Sequence, residues 1–314
     1  MTTIEPRAMV CMEVAGGNVA YEGGLTLPGL EAWVITRPYE GQTGGGDVHY
    51  VSSCASGRIT RMLVADVSGH GEHVAETSTA LRDIMRKYVN YVDQTAVVRA
   101  INTAFSSVAA GRFATAVVAT YWEPTSRLIL CNAGHPRPIR RLARDASWST
   151  LSLKAAASSP SRGGSHDIAN LPLGIEELTR YEQFGTRLRI GDAVLLYTDA
   201  LLEAASPNAR QLGEQGLLDL LAGRSIDNPT HFLRILLSDI SDWAGGCLPD
   251  DATAMLIIRT PTRTSFLSGL AAPLRIARAA LTRRRGKPVG WPERRIDNLL
   301  GTFLPWLNGP RSKQ

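Results

Sequence analysis

The stretch Ile59-Thr60-Arg61-Met62-Leu63-Val64-Ala65-Asp66-Val67-Ser68-Gly69-His70-Gly71 decides how this chain is read. Ile59 to Ala65 is an apolar run of strand length, and it ends on an acid, Asp66. A Ser-Gly turn follows. Residues 73–89 then carry Val74, Thr77, Leu81, Ile84, Met85 and Tyr88 at three- and four-residue spacing, which predicts a helix. Residues 94–109 repeat that spacing with Val97, Val98, Ile101, Ala104, Phe105 and Val108. A strand that hands over to two amphipathic helices predicts a helical layer packed on a sheet.

Working outward, Leu30 to Ile35 reads as a strand, and a glycine-rich turn, Gly41 to Gly46, leads to Asp47. Phe113 to Trp122 and Arg127 to Asn132 form a hairpin across the turn Glu123-Pro124-Thr125-Ser126. Residues 144–170 are rich in Ser, Ala and Gly and are expected to be an exposed, flexible insertion. Ala193 to Tyr197 is a strand ending near Asp199, residues 229–243 a helix opened by Asn228-Pro229, and Ala254 to Ile258 a last strand just after Asp250-Asp251. The order predicts an α/β layered arrangement with many antiparallel pairs.

The 314 residues suffice for one large domain with an appendage, and 44% hydrophobic against 20% charged residues excludes a disordered chain. No run of eighteen apolar residues and no secretory leader are visible, so a cytoplasmic protein is expected. Cys11, Cys54, Cys131 and Cys247 make no C-x-x-C pair and read as free thiols rather than zinc ligands. Residues 262–314 hold eleven Lys/Arg against two Asp/Glu, a net of +9, which leaves −4 for residues 1–261. The expected division is therefore a lead segment (1–27), a domain (28–261) and a basic extension (262–314). Within the extension, Leu267, Leu270, Leu274, Ala277 and Leu281 suggest a basic amphipathic helix. It could pack on its own domain or on a second copy in a homodimer, or lie peripherally on an anionic membrane surface. No nucleic-acid-binding module is visible, and no nucleic-acid partner is expected.

The acids carry the chemistry. Asp66 and Asp199 follow strands, Asp250 precedes one, and Asp47 follows three glycines. Strand ends converge when the strands are neighbours, and grouped carboxylates repel one another until cations neutralise them. Hard oxygen ligands favour Mg2+ or Mn2+ over zinc. Taken singly, each aspartate would equally serve as a turn or cap residue.

The order of the motifs resembles the SpoIIE-type bacterial branch of the metal-dependent serine/threonine protein phosphatases (PPM). Gly45-Gly46-Asp47, Ala65-Asp66-Val67-Ser68-Gly69-His70-Gly71, Phe113-Ala114-Thr115-Ala116, Asn132-Ala133-Gly134-His135-Pro136, Leu171-Pro172-Leu173-Gly174-Ile175, Tyr197-Thr198-Asp199-Ala200 and Asp250-Asp251-Ala252-Thr253 follow the family's order, from about Pro28 to Arg259. The resemblance implies a layered β-sandwich of two mainly antiparallel sheets flanked by helices, holding two Mn2+ or Mg2+ ions. Asp66 would bridge both ions, aided by the Val67 backbone carbonyl; Asp47 would bind on one side, Asp199 and Asp250 on the other. A water between the ions would attack phosphorus. The implied substrate is a phosphorylated anti-sigma-factor antagonist, and the helix pair at residues 73–109 is the implied point of contact for a regulatory partner.

Two positions depart from the family pattern. Tyr50 stands where a second acid often sits, and Ala200 replaces a glycine that could require positive φ. These departures keep open an alternative, an inactive scaffold that binds a phosphoprotein without turnover. His70 and His135 are read as turn residues rather than catalytic ones.

Overall fold

The computed structural model describes residues 4–69, 72–88, 90–91, 93–108, 111–151, 169–263, 271–272 and 274–275. The chain opens with four strands, β1 (Arg7–Ala8), β2 (Val14–Val19), β3 (Tyr21–Leu27) and β4 (Leu30–Arg37). The hairpin β5 (Gly44–Ser53) and β6 (Ile59–Val67) leads into the helices α1 (Glu72–Lys87) and α2 (Gln94–Val108). Five strands follow: β7 (Ala114–Trp122), β8 (Arg127–Ala133), β9 (Ile139–Arg141), β10 (Trp148–Thr150) and β11 (Gln183–Arg187). The fold closes with β12 (Ala193–Tyr197), α3 (Ala200–Glu203), α4 (Gly213–Leu221), α5 (Pro229–Trp243) and β13 (Ala252–Arg259).

Among the described residues these strands build two sheets, ordered β1-β3-β4-β13-β12-β9-β10 and β11-β8-β7-β6-β5-β2. All pairings are antiparallel except β1 with β3. Alternation along each strand sorts side chains into layers. Met62 and Val64 of β6 meet Val34, Leu196 and Met255 of the other sheet, while Leu63, Ala65 and Val67 turn outward beneath α1 and α2. The outer face of the first sheet is covered by α4 and α5 through Leu217, Phe232 and Leu236. The architecture is the expected layered sandwich, helices–sheet–sheet–helices. The helix α5 starts where Asn228-Pro229 predicts, with the Asn228 side chain accepting from the His231 N–H.

Residues 1–27, set apart in the sequence as a lead segment, supply β1, β2 and β3 to the two sheets. Residues 144–170 include strand β10, paired to β9, while 152–168 lie outside the described residues. Of the basic extension, Ala272 is buried and Arg275 Nη1 donates to the Ala55 carbonyl at 2.9 Å; the rest of its expected helix lies outside the described residues. Among the described residues no helix is long and apolar enough to cross a membrane.

Arg61 of β6 fixes the far end of the helix layer. It is buried, and its guanidinium donates to Thr120 Oγ1 (3.0 Å) and to the carbonyls of Tyr88 (2.7 Å) and Tyr91 (2.6 Å) in the α1–α2 connection. Three acceptors in fork geometry offset the cost of burying that charge.

Candidate metal centre

Asp47 of β5 and Asp66 of β6 are directly opposite in register, and Thr115 of β7 stands opposite Asp66. Opposed residues in an antiparallel pair project from the same face with Cβ atoms about 5 Å apart. That face is the inter-sheet face, because Asp47 Oδ2 accepts a hydrogen bond from Thr198 Oγ1 (2.7 Å) of the other sheet. Asp199 follows β12 and leads into α3, and Asp250 lies just before β13; Tyr197 pairs with Ala254, so these two ends adjoin. One end of the sandwich therefore gathers the four predicted aspartates.

The electrostatics record that gathering. Burial, then the charges of Asp199, Asp250, Asp251 and Glu203, push the Asp66 carboxyl up to about 7. The Asp47 carboxyl is raised well above its ordinary range by burial and by Asp66 and Asp251, against the opposing Thr198 hydrogen bond. The Asp199 carboxyl is raised by burial and by Asp250. Such a group is destabilised without a cation.

The donor set fits hard divalent ions. A Cβ built on Gly46 would lie 2.9 Å from the Val67 carbonyl oxygen and 3.1 Å from Asp66 Oδ1, so only glycine lets that carbonyl and carboxylate sit side by side. Among the described residues, no three acidic, imidazole or thiol groups close around a single point. Mg2+ requires no such cage, since it keeps several waters and binds through one or two carboxylates.

Asp250 and Asp251 divide their roles. Both Asp251 oxygens are engaged by backbone, accepting from Tyr39 N (2.6 Å) and Gly46 N (2.5 Å), and a Cβ on Gly45 would strike this carboxylate at 2.1 Å. Asp251 thus fastens the turn at Tyr39 and the start of β5 to β13; of the glycine-rich stretch expected to be a turn, Gly44 to Gly46 are strand. Asp250 is exposed, and its Oδ1 accepts from Asp251 N (2.8 Å).

Tyr50 is three residues past Asp47, an odd offset, and it faces the opposite side of β5. It is buried in the cluster beneath α1 and α2, so no inward ligand is lost at that position. Ala200 opens α3, is buried, and is not among the residues with positive φ; the strain anticipated there does not arise. His135 shares a hydrogen bond with Thr115 Oγ1 (2.8 Å) through Nδ1 and donates its N–H to Asn132 Oδ1 (2.7 Å). Burial pushes its imidazole down to about 3, which keeps it neutral. His70 lies outside the described residues.

Sequence reasoning missed the residues beneath the acids. Thr198 Oγ1, besides donating to Asp47, accepts from Thr253 N (2.9 Å); Thr253 Oγ1 donates to Thr36 Oγ1 (3.1 Å), which bonds His49 Nδ1 (3.1 Å). All are buried, and burial pushes the His49 imidazole down to about 4. Thr198 and Thr253 stand inside two of the quoted motifs, and that adjacency was the available signal.

Residues 56–261 match the family described as Stage II sporulation protein E (SpoIIE). The chain belongs to the SpoIIE family. Its fold is that of PP2C-type phosphatases. The RsbU and RsbW domains of Rv1364c from Mycobacterium tuberculosis align over 85% of this chain and 70% of that one, at 20% identity and a TM-score of 0.59. RsbX in complex with magnesium aligns over 76% of this SpoIIE-family chain and 100% of its own, at 18% identity and 0.54. The phosphatase domain of SpoIIE from Bacillus subtilis, with a fragment of its regulatory domain, aligns over 76% and 64%, at 14% identity and 0.58.

Proposed function

We propose that this chain is a metal-dependent phosphatase acting on phosphoserine or phosphothreonine in a protein, with a phosphorylated anti-sigma-factor antagonist as its substrate. The observation that carries the reading is Asp66, facing Asp47 across β5 and β6, its carboxyl pushed up to about 7 where Asp199 and Asp250 also converge. Two Mn2+ or Mg2+ ions, when bound, would lower the pKa of water and neutralise charge on the phosphoryl oxygens.

The chain's own residues have separable roles in this reading. Asp66 would serve both ions, Asp47 one, and Asp199 and Asp250 the other, with the Val67 carbonyl beside Asp66. Thr198 holds the Asp47 carboxylate in its orientation. Asp251 holds Gly45-Gly46 at the start of β5, where the lack of a Cβ lets these oxygens crowd together. Family membership and the inward-facing acids support turnover over a scaffold role, since Tyr50 displaces no inward ligand.

The test is hydrolysis of p-nitrophenyl phosphate and of phosphorylated antagonist proteins with and without Mn2+, for the parent and Asp66→Ala. Mn2+-dependent turnover lost in the variant is expected. An Asp66→Ala variant as active as the parent would sink the proposal.

A further inference from the structure

A second concentration of charge lies at the other end of the same strands. A cleft of about 940 Å3 is lined by Arg140, Arg144, Arg187, Arg189, Arg259 and Arg263 against a single acid, Asp192. Asp192 precedes β12 and Asp199 follows it; seven residues at strand rise separate the two ends by about 20 Å. No single phosphate could reach both. The cleft is therefore independent of the acidic end, and five of its six arginines belong to residues 1–261, whose net charge is −4.

The arginines differ in how they are held. Asp192 accepts from Arg140 Nη2 (2.6 Å), Ala143 N (2.9 Å) and Arg189 N (3.0 Å), so the one acid is consumed in shaping the floor. Arg140 also donates to Thr186 Oγ1 (2.8 Å) and its Nε is buried without a partner. Arg259 is 5% exposed and bonded to Ser126 Oγ and the Gly29 carbonyl, with no carboxylate partner among the described residues. Arg187 and Arg189 are exposed on either side of buried Leu188. No carboxylate among the described residues pairs with Arg187, Arg189 or Arg263.

We propose that this cleft is a binding site for an oligophosphate, a small anion carrying two or more linked phosphates. Guanidinium forks match phosphate oxygens bidentately, and several unpaired forks around one concavity suit several linked phosphates better than one. The volume lies within the range of small-molecule sites. Leu142, Leu188 and Ile190 give one wall an apolar surface that an organic moiety could cover.

The test is isothermal titration of the full chain, stripped of metal on a chelating resin so that no ion at the acidic end recruits phosphate. Inorganic tripolyphosphate and a nucleoside triphosphate are the probes. Saturable one-to-one binding in the micromolar range is expected, weakened about tenfold or more by R187E/R189E, which replaces two guanidinium donors with carboxylates. Tighter binding of the nucleotide assigns the apolar wall to its nucleoside; equal binding assigns the site to a bare phosphate chain. Arg210→Glu, at an exposed position outside the cleft, should bind as the parent does. No saturation at millimolar tripolyphosphate, or equal weakening by Arg210→Glu and R187E/R189E, would overturn the proposal.

Discussion

Replacing Asp66 with asparagine should make the metal-free protein more stable. The Asp66 carboxyl sits at about 7 in the fold against an ordinary 3.8, so the folded state holds its proton more tightly than the unfolded one. Stability then falls as pH rises from about 4 to about 7 and stays low above that window. The gap of about three pH units corresponds to at most about 4 kcal/mol, and partial solvent access reduces it to about 2 kcal/mol. For a domain of this size that is a rise in Tm of about 5 °C for Asp66→Asn at pH 8. Near pH 4 the aspartate is protonated in the fold and the difference should vanish. The assay is calorimetric melting of metal-stripped parent and variant at both pH values. Added Mn2+ should reverse the order at pH 8, stabilising the parent alone. A variant equal to or less stable than the parent at pH 8 without metal, or a gain independent of pH, would refute the reasoning.

Thr198→Val removes the donor to Asp47 and the acceptor for the Thr253 N–H; a loss of about 1–3 kcal/mol in urea unfolding and about tenfold weaker Mn2+ binding are expected. Asp250→Asn should weaken Mn2+ binding with little change in stability. Asp251→Asn should do the reverse, losing about 1–3 kcal/mol because one of Tyr39 N and Gly46 N keeps only a neutral acceptor and the other faces the amide NH2; titration and unfolding of the pair would expose an inverted assignment. Tyr50→Asp buries a carboxylate beneath α1 and α2, so unfolding should show a loss of several kcal/mol and Mn2+ titration no gain in affinity. Tighter Mn2+ binding in that variant would contradict the placement of Tyr50.

What could be read from the chain followed from periodicity and from acids at strand ends. Helices α1, α2 and α5 and strands β4, β6, β7, β8, β12 and β13 carry patterns that bury one face or both, and Asp66, Asp199 and Asp250 sit at or beside strand ends, while Asp47 lies within β5. Strands β2 and β3 carry no such pattern because glycine replaces the side chains that would show it. A Cβ on Gly16 would meet the His49 carbonyl oxygen at 2.0 Å, and one on Gly24 would meet the Trp33 ring at 2.6 Å. These glycines are strand residues where a neighbouring backbone or ring lies too close for any Cβ, which composition alone presents as a loop. The threonines beneath the acids escaped for another reason. Their partners are 151 residues away for Thr198 with Asp47 and 217 for Thr253 with Thr36, separations that only the sheet topology resolves.

Parity along β5 and β6 also settles how the acids and the helix layer communicate. Even-numbered side chains of β6 face the other sheet, and odd-numbered ones face α1 and α2, so the helices touch none of the inward acids through β6 side chains. Val67 is where the two layers join. Its side chain is buried in the cluster with Val74 of α1, while its carbonyl oxygen lies beside Asp66 where a Gly46 Cβ would be. Immediately beyond, Ser68 N donates to the Phe113 carbonyl and Gly69 adopts φ +103. At the far end, Arg61 fastens the connection between the helices to β6. Val67 thus packs its side chain under α1 while its carbonyl oxygen lies beside Gly46 and Asp66, whereas Asp47 and Asp66 point between the sheets.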